Sequence, residues 1–183
     1  MPRVPEVTLE NANPEQRRVI EAITGGPRGG LRGPFKVMLH SPKLADGVQS
    51  LGGFLRYGTS LEPRISEMAI IITGRFLSAR VEWVSHSKLA REGGLGDDVI
   101  QAILERRRPV FKKADEEAAY ELVTELHQNH QVSDVTFQKA IKQFGIPGTC
   151  ELVGVTGYYT MVGLFLKAFQ IEPPADVPKP FVD

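Results

Sequence analysis

Pro63-Arg64-Ile65-Ser66-Glu67-Met68-Ala69-Ile70-Ile71-Ile72-Thr73-Gly74-Arg75-Phe76 is the stretch on which the fold turns. Its nearly all-apolar middle, with three consecutive isoleucines, suits a buried strand or a buried helix, and periodicity alone does not separate them. Length and helical flanks decide for a helix. No other segment alternates polar and apolar residues at period two, and no repeat or low-complexity tract interrupts the chain. The fold class is therefore all-α: a compact multi-helix domain spanning residues 1–183.

Upstream, Asn13-Pro14-Glu15 supplies a cap, a proline at the first helical position and an early acid, predicting a helix to about Thr24 that Gly25-Gly26-Pro27 ends. Residues 1–12 read as extended or loosely ordered, and a glycine-rich linker runs from Gly25 to Gly33. Ser41-Pro42 repeats the cap-plus-proline signal, and Leu44, Val48, Leu51 and Leu55 recur at helical spacing up to Arg56. Downstream, a helix over about Ala79–Glu92 stops at Gly93-Gly94. Gly96-Asp97-Asp98 caps a short helix to about Arg107, ended by Pro109.

Ala114 to about Asn129 is strongly helix-forming, with acids first and His127 last, as the helix dipole prefers. Ser133-Asp134 caps a helix to Phe144, which Gly145-Ile146-Pro147-Gly148 breaks. A last apolar helix covers roughly Thr149–Phe169. Its three glycines, Gly154, Gly157 and Gly163, cost helix stability and imply close helix contact. The segment from about 172 to 183 carries four prolines and reads as an extended arm, suited to packing on a neighbouring subunit.

The 183 residues are 42% hydrophobic and 24% charged, with 22 basic and 22 acidic side chains, so the chain has no net pull toward nucleic acid or an anionic membrane. Arg106-Arg107-Arg108 with Lys112-Lys113 is better read as a solvated helix end than as a phosphate site. The amino terminus lacks the apolar core of a secretory signal, and no apolar run nears the ~20 residues of a membrane span. The expectation is a cytoplasmic protein with a small-molecule substrate, no nucleic-acid or membrane partner, and no cofactor or metal.

Chemistry concentrates in Glu82-Trp83-Val84-Ser85-His86. Acid and imidazole at i and i+4 share a helical face and suit proton transfer near neutral pH. From spacing alone a surface pair is the commoner outcome. Glu67 shifts the balance, because a carboxylate opening the most apolar helix is either favoured there by the dipole or buried and functional. Both readings of Glu67 stand.

Arg75 or Arg80 could receive a substrate carboxylate, and neither is distinguishable in sequence from an ordinary ion-pairing arginine. His40 precedes a cap and reads first as a backbone hydrogen-bonding group, second as pocket lining. His127 and His130 read as solvated. Tyr158-Tyr159 offers one ring to the core and one to a neighbour or cleft, with core packing the commoner outcome. Cys150 reads as a small packed thiol at a helix start, and a single cysteine excludes an intrachain disulfide or a CxxC centre.

Taken together, Arg64-Ile65-Ser66-Glu67-Met68-Ala69-Ile70-Ile71, Glu82-Trp83 with His86, and Ala90-Arg91-Glu92-Gly93-Gly94-Leu95 resemble the carboxymuconolactone decarboxylase and alkylhydroperoxidase D-like superfamily. The resemblance continues weakly through Leu39-His40-Ser41-Pro42 and residues 151–162. It implies an all-α fold assembled as a trimer or hexamer. In the peroxidase branch a CxxC pair precedes the motif histidine by seven and four residues. Those places hold Ala79 and Glu82 here, which argues against that thiol mechanism. The decarboxylase branch, with glutamate and tryptophan before the histidine, is the better match.

That branch implies a cofactor-independent lyase or isomerase of aromatic-compound catabolism, acting on a small carboxylated lactone or enolisable acid. His86, Glu82 and Glu67 would be catalytic, with Trp83, Arg75, Arg80, His40 and Tyr158 as substrate-binding candidates. The alternatives are a non-catalytic or partner-binding scaffold and, behind it, peroxide metabolism through Cys150.

Overall fold

The computed structural model describes residues 2–182. Met1 and Asp183, the ends of the expected amino-terminal segment and proline-rich arm, lie outside them. Every regular element among the described residues is helical. The helices are α1 (Pro14–Gly25), α2 (Phe35–Met38), α3 (Pro42–Tyr57), α4 (Pro63–Phe76), α5 (Arg80–Glu92), α6 (Asp97–Leu104), α7 (Ala114–Asn129) and α8 (Asp134–Ala168).

The chain forms two compact units, Met1–Thr59 with Leu164–Glu172, and Ser60–Gly163 with Pro173–Asp183. In the first, Asn13 caps α1 with a full capping box, its side chain accepting from Gln16 N while Gln16 reaches back to Asn13 N. Val19, Ile20 and Ile23 of α1 and Ala45, Val48 and Leu55 of α3 are buried. The stripe read for α3 is corrected by half: Leu44 and Leu51 are exposed, and Ala45 and Gly52 take the inward positions beside Val48 and Leu55. The amino-terminal segment is extended but not loose. Arg3 N donates to Phe169 O, Val7 N donates to Lys36 O, and Val7 is buried.

The second unit is built on α4, in which every residue from Met68 to Gly74 is buried. A helix apolar on nearly all sides has to be covered on nearly all sides, and α5, α6 and α7 pack around it. Helix α5 returns alongside α4 through the turn at Leu77–Ala79, and the two approach closely at both ends. A Cβ on Gly74 would stand 3.1 Å from Glu82 Cβ, and one on Gly93 would stand 3.0 Å from the backbone nitrogen of Arg64. The Glu92-Gly93-Gly94 stop is thus a packing requirement as well as a turn, with Gly94 at φ 96° supplying the left-handed step.

Arg64 ties α4 to α7 by ion pairs with Asp115 and Glu116, and also pairs with Glu62. Helix α6 stops at Leu104, short of the expected Arg107, because Arg106 turns left-handed at φ 58°. Gly145 breaks α8 as expected, with extended ψ at φ 64°. Of the α8 glycines, Gly163 meets a neighbour, where a Cβ would strike Leu77 Cδ1, whereas Gly157 faces open space. By length and composition α8 contains a stretch able to cross a membrane, longer than the apolar runs read from sequence. Half of that stretch is buried within the protein, as in a core helix.

Gly93→Ala is expected to destabilise by about 1–3 kcal/mol, since the added methyl meets backbone that cannot rotate away. Urea unfolding followed by far-ultraviolet circular dichroism measures this, and an unchanged midpoint would refute the close-approach reading.

Candidate functional site

Glu67 lies beyond the first turn of α4, on the flank covered by α5, so the dipole reading of that acid does not hold in the folded chain. Glu82 occupies the first turn of α5, where the helix N-terminus favours a carboxylate, and His86 follows one turn later on the same face. The three side chains meet. His86 Nδ1 is 2.6 Å from Glu67 Oε2, and His86 Nε2 is 3.3 Å from Glu82 Oε2. His86 is 6% exposed and Glu82 5%, so the surface-pair reading is overturned.

Burial works against the charged imidazole, but hydrogen bonding to Glu67 and Glu82, together with their charge, outweighs it and raises the His86 pKa to about 9. His86 is an imidazolium at neutral pH. Its folded pKa lies above the ordinary value of 6.5, so the stability it contributes is fully present below that value and is lost as pH rises through about 9. The edge of the Tyr159 ring packs on the imidazole with centroids 5.0 Å apart, and Tyr158 packs in turn on Tyr159. Both tyrosines are buried. Tyr159 is thus the tyrosine that touches His86.

Trp83, Arg75 and Arg80 converge on one residue of the carboxy-terminal arm. Phe181 meets the Trp83 ring edge-on at 6.2 Å and lies 4.3 Å beneath the Arg75 guanidinium, while Arg80 Nε donates to Phe181 O at 3.1 Å. Arg75 Nε also donates to Leu104 O. Phe181 carries no local sequence signal, and only the folded chain reveals its part.

His40 belongs to the first unit, where its Nε2 is 2.8 Å from Pro5 O, the backbone partnership read first from sequence. His127 corrects the expectation of a solvated group. It is 7% exposed, stacks on Phe76, and has Nε2 2.9 Å from Thr73 Oγ1. Cys150 is exposed rather than packed. The basic cluster is ion-paired, Arg107 with Glu105, Arg108 with Glu117 and Glu121, and Lys112 with Asp98. Among the described residues no group of three or more His, Cys, Asp or Glu side chains could hold a metal ion.

No family model matches the chain, and no curated protein matches it. Solved structures do. The debrominase Bmp8 superposes with a TM-score of 0.74 at 14% identity, over 94% of this chain and 92% of that one. The alkylhydroperoxidase AhpD core of an uncharacterized peroxidase-related protein from Ralstonia eutropha gives 0.73 at 14%, over 96% and 93%. An uncharacterized peroxidase-related protein from Silicibacter sp. gives 0.73 at 15%, over 96% and 95%. The chain is similar to these proteins throughout its length and has the AhpD-like fold.

Phe181→Ala is expected to loosen the arm from α5 and expose Trp83, the only tryptophan. The readout is a red shift of tryptophan emission with faster acrylamide quenching. Emission identical to the parent would show that Phe181 does not cover the indole.

Proposed function

We propose that the protein is a cofactor-independent acid/base enzyme of the carboxymuconolactone decarboxylase type, a lyase or isomerase acting on a small carboxylated lactone or related enolisable acid. The observation that supports it is the imidazole of His86 held at both nitrogens by carboxylates in a buried setting. Such an arrangement makes a proton donor whose position is fixed before substrate binds.

The chemistry follows from the resting charge. An imidazolium cannot take a proton, so His86 serves first as the acid. When a carboxylate leaves as carbon dioxide, its bonding electrons pass into an enolate or dienolate. The adjacent imidazolium stabilises the developing negative charge, and its Nε2 proton passes to the carbon framework. The neutral imidazole is then reprotonated from solvent. Glu82, at the longer contact, is the group that yields Nε2 to substrate, and Glu67 at Nδ1 keeps the ring oriented and cationic. Glu82 is also the carboxylate available to remove a proton in an isomerisation. Trp83, Arg75 and Arg80 are the substrate-side candidates of α4 and α5. A homo-oligomeric, cytoplasmic enzyme remains part of the same reading.

The kinship in fold to a debrominase and to peroxidase-related proteins is compatible with a shared acid/base cluster serving different leaving groups. A non-catalytic scaffold is the rival, and a buried charged histidine between two acids is an expensive feature to keep without use.

The test is carbon dioxide release or double-bond migration on a carboxylated muconolactone by metal-free protein. His86→Gln should lower turnover by roughly 10²–10⁴-fold. Activity should hold through neutral pH and fall as pH rises through about 9, where His86 loses its proton. Unchanged turnover in His86→Gln, or activity that climbs through that range, would sink the reading.

A further inference from the structure

We infer that the carboxy-terminal arm is an internal plug: Phe181 occupies a ligand site for an aromatic ring with a carboxylate two carbons away, and an arylalkanoate of that shape displaces it. This rests on the reading of Trp83, Arg75 and Arg80 as the substrate side of the site, and it names what a substrate has to replace there. All three side chains close on Phe181. Its ring meets Trp83 edge-on at 6.2 Å and lies 4.3 Å beneath the Arg75 guanidinium, and its carbonyl oxygen accepts from Arg80 Nε at 3.1 Å. Trp83 precedes His86 by one turn of α5, so the indole that the plug covers and the imidazole of the cluster leave the helix on neighbouring turns.

The arm is lightly packed. Pro173, Pro174, Pro178 and Pro180 carry no backbone N–H, and the arm joins no helix. Val177 N donates to Pro174 O, a turn within the arm itself. No residue from 173 to 182 is buried, and Val182 is 87% exposed. A segment with so little buried surface opens at low cost. Its prolines keep the released arm extended and semi-rigid, so it stays near the place it left. On the receiving side, Arg75 Nε donates to Leu104 O, a bond that does not involve the arm and holds the guanidinium in position when the arm leaves.

Phe181 itself defines the chemistry of its replacement. Two carbons, Cβ and Cα, separate its ring from its carbonyl carbon, and 3-phenylpropanoate repeats that spacing with a carboxylate in place of the peptide carbonyl. Its ring would take the cation–π contact with Arg75 and the edge contact with Trp83. Its carboxylate turns the neutral hydrogen bond from Arg80 into a charge-assisted one, roughly twice as strong. The ligand gains by charge what the arm gains by its tether. While the arm competes, the ligand's apparent affinity is reduced in proportion to the fraction of molecules whose arm is open.

Calorimetric titration of the full chain with 3-phenylpropanoate near neutral pH tests this, alongside fluorine magnetic resonance of the chain carrying 4-fluorophenylalanine at position 181 alone. One-to-one binding is expected, and saturation should move the fluorine resonance to its solvent-exposed position. Phe181→Ala should bind the probe tighter by about fivefold or more, because the competing ring is gone. In that background Arg80→Gln should weaken binding by about fivefold or more, since the charge-assisted bond is lost. Butanoate, which keeps the carboxylate and lacks the ring, should leave the fluorine resonance in place. Absence of binding in both the parent and Phe181→Ala, equal affinity in the two, binding that leaves the fluorine resonance unmoved, displacement by butanoate, or affinity kept when Arg80 is replaced would each overturn the assignment. Every readout is binding or arm position, so it stands apart from turnover at His86. A protein inactive on muconolactone whose arm is still displaced loses the lyase reading alone, and an active one whose arm stays docked loses the plug alone.

Discussion

The distance between α4 and α5 is set by one buried imidazole that needs a carboxylate from each. An imidazolium buried without a counter-charge would cost far more than the stability of a domain this size allows. With Glu67 at one nitrogen and Glu82 at the other it is retained as the charged form. That requirement propagates outward. Gly74 lets α4 approach the Cβ of Glu82, and Gly93 lets the far end of α5 approach the first turn of α4. A side chain at either glycine would tilt the helices apart and lengthen contacts that have to stay short.

Helix α4 carries polar demands on its other flank as well, each met by a partner from α7. Arg64 pairs with Asp115 and Glu116, and Thr73 with His127. The two buried histidines of this unit make a controlled comparison. Both are within a few per cent of full burial, yet His86 is raised and His127 lowered. Burial pushes both down, and only carboxylate contact reverses it. Partner chemistry, more than depth, decides which of the two carries charge at neutral pH.

Most helix positions were legible in the sequence because their signals are local. The Asn13 cap, the prolines at 14, 42 and 63, and Gly93-Gly94 act within a turn or two of the boundary they set. The short α2, just beyond the glycine-rich linker, escaped, since four residues are too few for periodicity to register. The α3 stripe misled because leucine was read as inward, whereas small Ala45 and Gly52 take the buried positions. Glu82 and His86 were visible as a pair at i and i+4. Glu67 entered by its apolar setting and by resemblance. What no spacing could reveal was contact between distant segments: Tyr159 on His86, Phe181 on Trp83 and Arg75, and the burial of His127.

An acid at position 82, a place where the resemblance to the peroxidase branch would put a cysteine, does more than leave out a nucleophile. In a thiol relay the histidine has to accept a proton from sulfur, which needs a neutral ring near working pH. Glu82 contacts Nε2 directly and, with Glu67, keeps His86 protonated to about pH 9. The imidazole at rest is therefore already protonated. A cysteine at position 82 would remove one of the two carboxylates that hold this charge, so the His86 pKa would fall while Glu67 still raised it. Glu82 and Glu67 together thus decide that the buried imidazole rests charged. The residue at position 82, with no change of fold, thus bears on the charge that the neighbouring imidazole carries.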